Sequence, residues 1–187
     1  MDIIFSAFIA SSLDGYIARL DGKIDWLERA AKNQTGEDYG YHAYMDTISC
    51  VVMGRSSFER AAKYSEWPYQ GKQVIVLSRK LTKPPADFAN KIDVYGGKIE
   101  LLAVELQHFQ VPKVALEGSL CIQSFIRAGL MDEIIITQVP VLIGRGLPLF
   151  AEAPEDIPLR LVNSKPYASG FVQNYYRFVR RTKNINN

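Results

Sequence analysis

Cysteine is scarce. Cys50 and Cys121 are the only two, and no C-x-x-C pair exists. That argues against a disulfide framework and a thiolate zinc site; both read as reduced residues, Cys50 as a buried one. Histidine is as scarce. His42 and His108 are far apart and flanked by helical patterns, so they form no metal-binding cluster and read as structural or exposed. Neither sign of charge is in excess: 22 Lys and Arg against 20 Asp and Glu leave +2, too little to argue for nucleic acid or a membrane surface as partner. No apolar run approaches the ~20 residues that cross a bilayer. No basic segment followed by an apolar one marks a signal peptide, so the expected location is cytoplasmic. The Gly-x-Gly-x-x-Gly fingerprint of ordinary dinucleotide folds is missing too.

What is present is an ordinary globular balance, 48% apolar and 22% charged, over a length that suits one domain. We expect that domain to run from 1 to 183, with 184–187 a disordered tail. Apolar stretches read as strands at Ile3–Ala10, Cys50–Met53, Gln73–Leu77, Ile92–Tyr95, Val114–Leu116 and Ile134–Val139. Helical periodicity lies between them, over Glu37–Ile48, Phe58–Tyr64, Ile99–Phe109 and the segment from Ser119 to Gly129. Glu28–Gly36 is polar and poorly periodic, a loop or a frayed helix. Leu159–Ser164 and Phe171–Arg180 alternate as a closing hairpin around Pro166–Gly170. The alternation of strands and helices predicts an α/β fold, mostly parallel, with an antiparallel C-terminal edge.

Four small-residue turns follow strands in this reading: Ser11–Gly15, Gly54–Ser57, Leu77–Lys80 and Glu117–Leu120. Ligands of open α/β sheets bind just outside the carboxyl ends of strands. The turns at Gly54 and Gly118 open helices and offer free N–H groups to phosphate. Ser78-Arg79-Lys80 offers cations and a hydroxyl to a further phosphate or a ribose. Each turn alone is equally an ordinary loop; the set fits a phosphorylated dinucleotide.

Several stretches then point to a family: Ser12-Leu13-Asp14-Gly15-Tyr16-Ile17-Ala18, Val52-Met53-Gly54-Arg55-Ser56-Ser57-Phe58-Glu59, Val76-Leu77-Ser78-Arg79, Glu117-Gly118-Ser119 and Pro140 to Phe150. The sequence resembles the dihydrofolate reductase-like superfamily, and most nearly the C-terminal reductase domain of the bifunctional riboflavin-biosynthesis deaminase/reductase and its stand-alone bacterial relatives. The resemblance implies a three-layer fold with a sheet of about eight strands, an NADPH-dependent oxidoreductase, a pteridine- or pyrimidine-type small molecule as substrate, and a homodimer. It places Ala10, Ile17 and Ala18 at the nicotinamide. Gly54, Arg55, Ser56 and Ser57 take one side of the pyrophosphate, and Gly118, Ser119, Leu120 and Cys121 the other. Leu77, Ser78 and Arg79 take the adenosine end, with Arg79 at the 2′-phosphate.

The family usually has adjacent glycines, often with a strained or cis peptide, where this chain has Gly118-Ser119. Glu117 beside a phosphate would be repulsive unless it points away. These two features favour the alternative, a non-catalytic or regulatory member with weakened dinucleotide binding. On the substrate side Asp38, with Glu37 beside it, is one candidate for the carboxylate that grips a heterocycle; it is equally a first-turn acid of its helix. Asp14 is the other, and equally a turn residue before Gly15. Trp26, Tyr41 and Tyr44 form an aromatic wall or belong to the core, Tyr44 more naturally to the core. Leu147-Pro148-Leu149-Phe150 reads as core or as interface.

Overall fold

The computed structural model describes residues 3–32, 36–153 and 155–179. In chain order the elements are β1 (Ile4–Ser12), β2 (Tyr16–Ala18), α1 (Asp25–Ala31), α2 (Tyr41–Asp46), β3 (Cys50–Gly54), α3 (Arg55–Ala61) and β4 (Gln73–Leu77). A 3₁₀ turn at Ala86–Phe88 leads to β5 (Asp93–Tyr95), α4 (Ile99–His108), β6 (Lys113–Glu117), α5 (Ser119–Arg127) and β7 (Glu133–Val139). The chain then forms β8 (Leu147–Pro148), β9 (Leu159–Pro166) and β10 (Val172–Phe178).

Eight strands pair in the order β5-β4-β3-β6-β1-β7-β10-β9. Pairings from β5 to β7 are parallel, and β10 runs antiparallel to both β7 and β9. Successive side chains leave a strand on opposite faces, and the cores divide accordingly. Cys50, Val52, Val114 and Leu116 join Phe5 and Ala7 under α4 and α5, with Phe125 and Ile122 fully enclosed. Val51, Met53, Val74, Val76 and Ala115 pack with Tyr44, Met45 and Phe58 of α2 and α3. Strands buried on both faces explain the near-continuous apolar runs. The result is the expected three-layer α/β fold.

Several local readings change. Glu28–Gly36 is not simply loop: its first part belongs to α1, whose Asp25 is held by Arg19 and Arg29. The Glu37–Ile48 helix begins only at Tyr41, because Asp38 closes a turn before it. The short β2 and β8, unread in the sequence, pair with each other as a separate two-stranded sheet. Leu149 is core at 2% exposure while Phe150 is open to solvent, so the core reading holds for the first and not for the second. Arg180, Arg181, Lys183 and the tail from Asn184 lie outside the described residues. No helix among those described is long and apolar enough to cross a membrane.

Candidate active site

Strands β4, β3, β6, β1 and β7 are neighbours whose carboxyl ends share one edge of the sheet. Gly54 ends β3, Glu117 ends β6 in register with Met53, and Ala10 lies near the end of β1 opposite Thr137. Three of the four turns singled out in the sequence therefore converge side by side, and the fourth, Leu77–Lys80, lies one strand further on.

The closest approach is between the second and fourth of these turns in chain order. A Cβ on Gly118 would stand 2.4 Å from Ser57 Oγ, and Gly118 has φ 88° and ψ 145°. Only glycine adopts that conformation without strain. The peptides here are trans, so Gly118 alone supplies the unusual geometry next to Ser119. Ser119 opens α5 and is buried at 8%. Gly54, extended at φ −76° and ψ 159°, opens α3, and Ser56 and Ser57 form its first turn. Arg55 reaches along that helix to Glu59 at 3.3 Å.

Not every expected cofactor residue offers a side chain. Leu120 points to solvent at 75% exposure. Cys121 points into the core, with its thiol toward Val52 O at 3.5 Å and its acidity suppressed by burial to about 12. These two can contribute only backbone. Ser78 Oγ accepts the N–H groups of Lys80 and Leu81, which shapes the turn that exposes Arg79. Leu77 closes β4, half-buried. Ile17 and Ala18 lie on β2, Ala18 almost wholly covered.

The substrate-side expectations are redistributed. Asp38 accepts the N–H groups of Gly40 and His42 at 2.9 Å, and His42 Nδ1 stands 2.6 Å away. Those contacts, the His42 N–H foremost, hold its carboxyl at about 2. It is spent on starting α2. Asp14 accepts the N–H groups of Ile143 and Gly144 and serves a loop. Trp26 is 3% exposed and packs with Val139 and Phe171, so its ring is core and offers no stacking wall. Tyr44 is core as well. Tyr41 stays half-buried with its ring 5.7 Å from that of Phe8.

Glu117, weighed in the sequence only for its effect on a phosphate, has its side chain in other surroundings. It shares a face of β6 with Ala115, so it points into the α2 and α3 side rather than along the phosphate turn. Burial pushes its carboxyl up to about 7, against the charge of Arg60. Burial, and after it the charge of Glu117, pushes the hydroxyl pKa of Tyr41, Tyr44 and Tyr69 up. A carboxyl balanced near neutrality can hold or release a proton at physiological pH. The available signal was strand parity: Glu117 follows the apolar run by one residue and falls on the face opposite Leu116.

Comparison with known proteins fits this geometry. The model of the RibD C-terminal domain family matches residues 4–173. The uncharacterised Bacillus subtilis protein YwjB is 31% identical over 174 residues, covering 91% of this chain and 95% of its own. A Shewanella sp. PV-4 protein named for riboflavin biosynthesis is 33% identical in its crystal structure, with a TM-score of 0.88 over 95% of this chain and 99% of that one. A dihydrofolate reductase from Enterococcus faecalis, solved with NADP(H), shares the fold at 16% identity, with a TM-score of 0.65 over 94% of this chain and 96% of its own. The family match over most of the chain, with the fold likeness beside it, shows that the chain belongs to the RibD C-terminal domain family.

Proposed function

We propose that the chain is an NADPH-dependent reductase of a pteridine- or pyrimidine-type small molecule, in the manner of a 5-amino-6-(5-phosphoribosylamino)uracil reductase or a dihydrofolate reductase. The observation that carries this reading is the pairing of Glu117, a carboxyl near neutrality, with Gly118, a glycine-only turn at a helix N-terminus. The residues present fit the dinucleotide at that turn, because the φ and ψ of Gly118 leave backbone rather than side chain facing Ser57.

In this reading Gly54, Ser56, Ser57, Gly118 and Ser119 hold the pyrophosphate through N–H and hydroxyl groups. Ser78 and Arg79 hold the adenosine end, Arg79 taking the 2′-phosphate. Ala10, Ile17 and Ala18 border the nicotinamide, which supplies hydride when bound. Glu117 holds a proton opposite the heterocycle and delivers it to the ring heteroatom beside the carbon being reduced. Tyr41 and Phe8 flank the ring. A homodimer belongs to the same proposal. β9 is exposed along its whole length, with Leu159, Leu161 and Val162 open, and a second copy covers such an edge. Sedimentation velocity separates monomer from dimer.

The test of function is a fluorescence titration with NADPH and NADH, followed by turnover with reducible pteridines and pyrimidines. Binding of NADPH below millimolar concentration supports the reading; binding of neither cofactor ends it. One observation favours the second reading, a dinucleotide-poor regulatory member: the Ser57 hydroxyl occupies the space that Gly118 leaves open. On that reading Ser119→Gly sharply raises NADPH affinity, and on the first it changes little.

A further inference from the structure

We infer that Asp14 is a positioning residue, a clasp that holds the strand bordering the nicotinamide against the loop after β7; this rests on the reductase reading above. Asp14 lies in the turn between β1 and β2. Its carboxylate accepts the N–H of Gly144 at 2.7 Å and that of Ile143 at 3.1–3.2 Å, across more than a hundred residues of chain. A hydrogen bond from the Ser12 hydroxyl is the largest of the influences that lower its pKa below the usual carboxylate value, and the N–H groups of Gly144 and Ile143 add to it. Ser12 Oγ in turn accepts the Tyr16 N–H at 3.0 Å, at the first residue of β2.

The two loops are joined on either side of this carboxylate. Leu13 donates its N–H to Val141 O, and Leu149 donates its N–H to Gly15 O, both at 2.9 Å. Between them β2 pairs with β8, Tyr16 opposite Pro148 and Ala18 opposite Leu147. Gly146 passes beneath Ala18 so closely that a Cβ there would lie 2.3 Å from Ala18 O. Gln123 of α5 fixes the far end by donating to the carbonyls of Pro148 and Leu149. β2 is thus absent from the main sheet and keeps its place through β8 and the Asp14 contacts. Asp14 brings a charged acceptor to two backbone donors of the loop, midway between the Leu13–Val141 and Leu149–Gly15 backbone bonds. Its oxygens are committed to that work, and so we assign it to geometry rather than to substrate.

The positioned backbone, Ile17–Ala18, borders one end of the dinucleotide only. Removing the clasp therefore weakens the nicotinamide end and spares the adenosine end. The experiment compares wild type with Asp14→Ala in three measurements: the affinity for NADPH, the affinity for 2′,5′-ADP as a probe of the adenosine end, and the amide exchange of Ile143 and Gly144 without ligand. We expect faster exchange at both amides, NADPH binding weakened by about tenfold, and 2′,5′-ADP binding unchanged. Equal loss of both ligands, unchanged NADPH binding, or unchanged exchange overturns the clasp. If wild type binds neither NADPH nor 2′,5′-ADP, the reductase reading has failed instead, and the clasp as a cofactor-positioning device fails with it.

Discussion

Glu117 and Gly118 are consecutive and carry opposite burdens: one holds a charge that its surroundings resist, the other a backbone that no side chain permits. The raised Glu117 carboxyl has a thermodynamic sign. Its unfolded value is 4.5 and its folded value about 7. Below the unfolded value both states are protonated and nothing is lost. As pH rises toward the folded value, the unfolded chain ionises first, and folding loses stability until both states are charged. The residue is only partly buried, which limits the loss to about 1–3 kcal/mol. Glu117→Gln should therefore be more stable than wild type at pH 8 by that amount and equal to it at pH 4, as urea titrations at the two values would read. If the carboxyl delivers a proton, wild-type kcat/KM falls above about pH 7. The Gln variant then loses both most of its rate and that limb of the profile. Gly118→Ala meets a forbidden φ and the Ser57 hydroxyl together. It should cost about 2–3 kcal/mol of stability and abolish NADPH binding in the fluorescence titration. The turn at Gly118 was legible in the sequence as a glycine between a strand and a helix. The direction of the Glu117 side chain was not, since adjacency along the chain sets it beside the phosphate turn while alternation along β6 turns it to another face.

At the scale of elements, strands were more legible than helix starts. An apolar run shows where a buried strand lies, but a cap is a matter of which atom meets which N–H. Asp38 illustrates this. Periodicity ran the helix back to Glu37, whereas the Asp38 carboxylate folds over the N–H groups of Gly40 and His42 and delays α2 to Tyr41. Replacing it with Ala should fray the first turn and lower the melting temperature by a few degrees at pH 7. Its contribution is present above the ordinary carboxylate value of 3.8 and fades as pH falls through the folded value of about 2. The melting difference between wild type and Asp38→Ala should close over that acid window. Helix phase hid the fate of α5 in the same way. Leu120 and Cys121 follow the phosphate turn directly, yet one points outward and the other into the core.

For the whole molecule, the order of elements was readable and the order of strands in space was not. Nothing in the pattern of apolar runs states that β6 lies between β3 and β1, since that depends on which faces match across the layers. The core it completes is dense. Phe125, wholly buried with its ring 4.9 Å from that of Phe5, joins α5 to β1. Phe125→Ala should cost about 3–5 kcal/mol in urea unfolding, with no change in the ratio of NADPH to 2′,5′-ADP affinity among molecules that remain folded.

The place of β6 has a consequence in time. Its neighbours β3 and β1 have both left the chain's growing end well before residues 113–117 exist, and they cannot pair with each other in the native order. The sheet waits with a slot at its centre, and contacts of such long sequence separation form slowly. Because Glu117 and Gly118 arrive on the strand that fills the slot, the ability to bind a dinucleotide should be the last property the folding chain acquires. In a refolding experiment followed by NADPH fluorescence, affinity should rise together with the slowest phase of tertiary structure rather than with the first helices.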